Sequence, residues 1–281
     1  MNNSDTQSSI EGFFWYINER QSILENKKQG EFPHTLNPVL QEYSFCNVHR
    51  EDDKVTTWLR KNWREPYKDH PNLPFSMSVA RQINWPETLE EIGFPLYWDP
   101  ERVKAIMQGR MDRGKKVYTG AYMLTGTLGG TKVEQTVDKI LTPLYKNQPA
   151  LHRDSLEKSW REYLPYAGFS GFMAYEVVTD LRHTKYLENA EDIMTWANPG
   201  PGAKRGLNRI HGRSLKENIK RPQLIEEMKE LLHISLHKPY TLHIVGKLEM
   251  RDIEHCLCEY DKFERARLGQ GRPRAKYRYH E

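Results

Sequence analysis

The sequence predicts an all-α protein, and three observations predict it. Helix-start signals recur along the whole chain, period-two alternation of apolar and polar residues is scarce, and one segment reads as two helices joined by a hairpin. Asn37-Pro38 and Asp99-Pro100 each set a capping side chain ahead of a proline at the first helical position, where a missing N–H is harmless. Thr131-Lys132-Val133-Glu134 and Ser214-Leu215-Lys216-Glu217 fit the capping box, in which the third helical residue reaches back to the cap. Leu156, Trp160 and Leu164 share a helical stripe ahead of Pro165-Tyr166-Ala167-Gly168-Phe169-Ser170-Gly171, and Phe172, Tyr175, Glu176 and Thr179 continue helical spacing beyond it.

In chain order these signals place helices near 10–28, 38–47, 53–64, 100–112, 131–142, 155–164, 171–181, 189–197, 214–218, 222–236 and 250–267, with Gly30, Gly114 and Gly269 as stops. Residues 1–12 read as a disordered N-terminal tail. Glu65 to Asp99, rich in proline and aromatics, reads as a functional loop or an irregular cap over a cleft, and 240–245 as one short strand. No break in composition forces two domains. Residues 13–281 are therefore read as one helical domain of two lobes sharing a cleft, with a basic C-terminal tail.

At 281 residues, with 37% apolar and 28% charged residues, the chain is long enough for a substantial core, and its aromatics supply the bulk. The net charge of +4 is unevenly spread. Lys204, Arg205, Arg209, Arg213, Lys216, Lys220 and Arg221 face only Glu217, and Arg265, Arg267, Arg272, Arg274, Lys276 and Arg278 crowd the C-terminus. The first cluster suggests a polyanionic partner; a solvated tail explains the last equally well. Three cysteines give no disulfide framework and no apolar run is long enough to span a membrane, so a cytoplasmic protein is expected. Cys256-Leu257-Cys258 is too tight for a structural zinc pair and has no second pair, so neither a metal nor another cofactor is expected.

Gly126-Thr127-Leu128-Gly129-Gly130-Thr131-Lys132 fails as a nucleotide phosphate loop, because Thr131 stands where glycine is needed; Thr131 reads instead as a helix cap. In the hairpin, Gly168, Ser170 and Gly171 would offer backbone N–H groups at a helix N-terminus to a DNA phosphate, or serve only an ordinary αα-turn. Glu176 and Asp180 share a helical face, and Asp180 lies near the helix C-terminus, where the dipole disfavours an anion. A nearby cation, a working carboxylate or simple solvent exposure would each account for it. His255, Glu259 and Lys262 form one stripe, a surface salt-bridge ladder or the wall of an acid–base site, with Asp261 beside it. Asn47, Arg50 and Lys54 fall at helical spacing, and Arg50 would clamp a phosphate or pair with Asp53 or Glu51. Three glycines with Lys204 and Arg205 in 198–207 suit a pyrophosphate, or make a plain interhelical turn. Cys46 reads as core, and His34, His49 and His255 as hydrogen-bonded or surface histidines.

Taken together, Glu19-Arg20, residues 33–40, Tyr43 to Asp53, Tyr118 to Met123, the hairpin through Leu181 and Leu257 to Lys262 resemble a phage family. It comprises the helical domain found beside 5-hydroxymethyluracil DNA kinases and the related alpha-glutamyl/putrescinyl thymine pyrophosphorylases, or amino acid:DNA transferases. The resemblance implies a helix-hairpin-helix fold similar to DNA glycosylases and action on thymine-derived bases in DNA. In that family's pathway a separate kinase pyrophosphorylates hydroxymethyluracil in DNA, and the transferase replaces the pyrophosphate with an amine. The implied partners are DNA carrying modified thymine, a small amine or amino acid, and that DNA base kinase; the implied location is the host cytoplasm. Asp180, Glu176, Asp261 and Glu259 are then the candidate catalytic carboxylates, with Asp180 preferred as the base. Gly168, Ser170, Gly171, Lys204, Arg205 and Arg50 are candidate DNA or phosphate contacts, and Asn47 and Lys262 candidate substrate contacts. Tyr166 replaces the first glycine of the usual hairpin, Ser170 stands at the Schiff-base lysine position, and no aspartate matches the glycosylase spacing cleanly. A transferase is therefore expected first, and a base-excising glycosylase or a non-catalytic DNA-binding partner of the kinase after it.

Overall fold

The computed structural model describes residues 3–120, 128–237 and 245–278, with side chains from Ser9 onward. Its helices are α1 (Asn3–Gln29), α2 (Pro38–Glu42), α3 (Lys54–Leu59), α4 (Leu73–Ile83), α5 (Pro86–Ile92), α6 (Pro100–Asp112), α7 (Lys132–Glu134), α8 (Thr142–Lys146), α9 (Leu156–Tyr163), α10 (Gly171–Leu181), α11 (Pro201–Ile210), α12 (Arg221–His237) and α13 (Met250–Arg267). A 3-10 turn covers Arg50–Asp52, and π-helical stretches follow α3 at Arg60–Arg64 and join α7 to α8 at Gln135–Leu141. Among the described residues there is no strand; an isolated antiparallel bridge pairs Tyr43 with Lys276. The short strand expected at 240–245 falls almost wholly outside the described residues.

The caps work as their chemistry dictates. Asn37 accepts from the N–H groups of Val39 and Leu40, Asp99 from Arg102, and Thr131 and Glu134 form the full reciprocal box. The hairpin helices α9 and α10 also lie where the spacing puts them.

Four expectations need correction. The helix at 38–47 stops at Glu42, because Tyr43 turns extended and Ser44 N–H donates to Ala275 instead. The stretch from Glu65 to Asp99 is no loop: it holds α4 and α5, whose prolines sit at the first turn, where they are tolerated. The segment 189–197 is a run of turns, and α11 instead occupies the glycine-rich stretch beyond it. At Ser214 the box closes only a turn, with Glu217 N–H donating to the Ser214 carbonyl. In addition, α1 already begins at Asn3, in the stretch read as a tail.

The chain divides into two compact units, Met1–Asp53 with Ile193–Glu281, and Lys54–Asp192. In the first, Phe13 and Tyr16 of α1 pack on Tyr260 and Phe263 of α13 with ring centroids 5.1 to 5.8 Å apart. Helix α11 lies tightly along α13, because a Cβ on Gly206 would run into the Leu257 carbonyl and one on Gly202 into Cys258. In the second unit α4 is buried along its whole length and packs on α10. Gly168 takes φ +78° at the hairpin apex, its carbonyl accepting from Gln82 Nε2 at 2.9 Å.

Candidate functional site

The first unit gathers a polar cluster from two distant segments, 45–53 and the middle of α13. Arg20 on α1 pins the first of them, donating to the Phe45 and Cys46 carbonyls and to Asn47 Oδ1, each at 3.2 Å. Asn47 donates through Nδ2 to the Asp52 carbonyl (2.8 Å) and through its N–H to Asp53 Oδ1 (2.9 Å). Arg50 Nη1 donates to Asp53 Oδ2 at 2.7 Å, so of the two sequence readings the pairing with Asp53 is the one formed. From α13, Glu259 Oε2 accepts from the Cys46 N–H (2.9 Å) and from Lys262 Nζ (3.0 Å). Both bonds go to Oε2, which leaves the lone pairs of Oε1 for another donor. Nε2 of His255 is buried with no hydrogen-bond partner.

The stripe of His255, Glu259 and Lys262 is thus packed against 45–53 and is no surface ladder, Glu259 being 9% exposed. Burial, the largest influence on Glu259, pushes its pKa up, but Lys262, His255 and the Cys46 N–H together hold it below the usual carboxylate value. His255 is lowered, by burial first and then by Arg50. Asn47 and Arg50, which the sequence places in one group, are brought together with His255, Glu259 and Lys262, which it places on another stripe; Asp53, which the sequence offers only as a partner for Arg50, belongs with them.

The other candidates lie elsewhere. Asp261 is fully buried on another face of α13, where it accepts from Arg205 (2.7 Å) and Arg209 (2.9 Å), with Arg265 3.4 Å away. Lys204 donates to Asn218. Lys204 and Arg205 are helical residues of α11, and Gly202 and Gly206 serve close packing on α13 and not an open phosphate cradle; at the entrance to α11, Gly200 N–H donates to Glu254 at 3.1 Å, so a carboxylate already fills the anion position. In the second unit Asp180 and Glu176 are buried; Arg81 grips Asp180 through Nε (2.6 Å) and Nη2 (2.5 Å) and approaches Glu176 to 4.0 Å. A cation therefore accounts for the placement of Asp180, as one of the sequence readings allows. At the hairpin Gly168 and Ser170 are exposed and Gly171 half-buried. Beside Asp261 in the first unit, a cavity of about 600 Å³ is lined by half-exposed Trp15, Tyr260, Phe263, Arg209, Arg213 and Arg267.

His49 anchors the cluster's edge, donating from Nε2 to the Val245 carbonyl (2.7 Å) with Nδ1 3.5 Å from Asp252. Its bond to Asp252 outweighs burial and raises its pKa to about 9. Because the folded value lies above the ordinary one of about 6.5, the stabilisation is complete below that value and is lost as pH rises through about 9. Urea unfolding should show a loss on the order of 2 kcal/mol between about pH 6 and pH 10, discounted for partial exposure, and this loss should be absent in His49→Gln. The same pH dependence in the variant would assign it to another group.

Among the described residues no helix is long and apolar enough to cross a membrane. No solved structure matches the chain. A protein from Bacillus phage SP10 described as a 5-hmdU DNA kinase is 25% identical to it, over 86% of this chain; the chain spans only 40% of that relative's length. The family model for the 5-hmdU DNA kinase helical domain matches residues 7–272, nearly the whole chain, so this protein belongs to that family of helical domains.

Proposed function

We propose that the chain acts on 5-hydroxymethyluracil-derived bases in phage-modified DNA, as a transferase that replaces the pyrophosphate of 5-(pyrophosphoryloxymethyl)uracil with an amine or amino acid. Family membership supports the base, and the buried cluster around Glu259 supports chemistry in place of binding alone. The observation that carries the reading is that Glu259 is fixed by two donors on one oxygen and keeps the other for a substrate N–H. On this reading Glu259 holds the amine and takes the proton released as the new C–N bond forms at the base's methylene carbon. The C–O bond breaks as the pyrophosphate departs with its electron pair, its charge met by Arg50 and Lys262. The fold would be helix-hairpin-helix and glycosylase-like, with Gly168, Ser170 and Gly171 contacting the DNA backbone and Lys204 and Arg205 adding phosphate contacts. The target base would be flipped out of the stack. The kinase step would belong to a separate catalyst, a reading that the use of Thr131 of the glycine-rich loop as a helix cap supports.

The test is to incubate the protein with pyrophosphorylated hydroxymethyluracil DNA and a pool of amines, digest to nucleosides and weigh them. An aminated nucleoside is expected, and Glu259→Gln should slow single-turnover formation by about 100-fold with DNA affinity retained. The chain's match to part of a DNA base kinase favours one second reading, a non-catalytic DNA-recognition partner. That reading requires DNA binding with unchanged nucleoside masses, whereas abasic sites would mark a glycosylase.

A further inference from the structure

We propose that Cys46, Asp53 and His255 bind a zinc ion. The inference is independent of the transferase reading, because it rests only on where three donor atoms lie. The Cys46 sulfur, an Asp53 carboxylate oxygen and a His255 ring nitrogen are all within 4.8 Å of one another. They come from three separate pieces of backbone: the extended stretch after α2, the residue closing the 3-10 turn, and the middle of α13.

Two of the three ligands are held by bonds that leave the donor atom available. Cys46 is oriented through its backbone N–H, which donates to Glu259 and not through sulfur. Asp53 receives one hydrogen bond on each oxygen, from the Asn47 N–H and from Arg50, the support that ligating carboxylates commonly have, and each oxygen keeps a further lone pair. His255 supplies the observation that points outward to a ligand: its Nε2 is buried with no partner, a costly state for an imidazole nitrogen unless something binds it. Thiolate, imidazole and carboxylate together suit zinc better than magnesium or calcium, which prefer oxygen alone. On binding, the Cys46 thiol releases its proton to solvent and the sulfur donates the freed pair to the metal. Three protein ligands leave a fourth position open, as in zinc sites that handle substrate or water. The sequence hides this set because the conspicuous cysteine pair is Cys256 and Cys258, while the ligands are spread from residue 46 to residue 255.

Cobalt(II) added to the full chain should give a thiolate-to-cobalt charge-transfer band that saturates at one equivalent and is displaced by zinc. Cys46→Ser should abolish the band and Cys258→Ser should leave it, while Asp53→Asn and His255→Asn should each weaken cobalt binding by about tenfold or more. Should Cys46→Ser fail to fold, the parent chain decides the matter by alkylation mapped by mass spectrometry, where one equivalent of zinc should protect Cys46 and leave Cys258 unchanged. Absence of the band, its survival in folded Cys46→Ser, or alkylation of Cys46 indifferent to zinc would each overturn the proposal.

Discussion

Arg81→Met should cost the protein about 3–5 kcal/mol of stability, the range for stranding a buried charge. Arg81 is 1% exposed and makes two bonds to Asp180, one to Thr56 Oγ1 at 3.0 Å and one to Asn84 Oδ1 at 3.3 Å. Without the guanidinium, Glu176 and Asp180 would face each other one helical turn apart in α10, both buried, with Arg64 no nearer than 4.0 Å to Asp180. Like charges at that spacing repel, and low-dielectric surroundings magnify the repulsion. Methionine fills much of the volume, so the loss isolates charge from packing. The measurement is urea unfolding followed by far-ultraviolet circular dichroism; a change under about 1 kcal/mol would show that the ion pair is not a stabilising element. The same geometry bears on the choice of Asp180 as the base. A carboxylate gripped at both oxygens inside the protein is expected to matter for folding before turnover, so Asp180→Asn should lower stability and spare the single-turnover rate of well-folded protein. The opposite pattern would restore Asp180 as a catalytic group.

Gly206→Val should be nearly as damaging, at about 2–4 kcal/mol, because it overpacks a helix crossing where the obstructing atom is backbone. A side chain at 206 meets the Leu257 carbonyl, which cannot rotate away, so α11 must lift off α13. That displacement would also loosen the Arg205 and Arg209 bonds to Asp261. Gly120→Ala, where nothing lies within 4 Å of the added carbon, is the matched control and should stay within about 0.5 kcal/mol. Equal unfolding midpoints for the two variants would mean that α11 and α13 are not locked as closely as the glycine contact requires.

What the sequence could and could not disclose follows from these packing facts. Caps are local chemistry, a side-chain oxygen and the next three N–H groups, so Asn37, Asp99 and Thr131 were legible. Helix α4 was not, because a helix buried on every side has no polar face to set up a period, and its proline reads as a loop marker until its position at the first turn is known. The stretch 198–207 leaves two readings open for a related reason: glycine that admits a neighbouring helix and glycine that opens backbone to a phosphate look identical in one dimension. Of the candidate site, Asn47 with Arg50, and separately His255 with Glu259 and Lys262, carry a signal in their spacing. His255 and Asp53 acquire their meaning from each other, across two hundred residues of intervening chain.

The first unit is interrupted: its opening 53 residues and its closing segment from Ile193 are separated by the whole of the second. Phe13 and Tyr16 of α1 are buried against rings of α13, so their cover lies beyond the whole of the second unit in sequence. The second unit is continuous in sequence, so its contacts close over shorter chain separations than those that join the two parts of the first. The Glu259–Cys46 bond closes a loop of 213 residues that contains the whole of the second unit. Nesting of this kind makes the polar cluster depend on contacts across that loop, whose closure carries an entropy cost that local contacts do not.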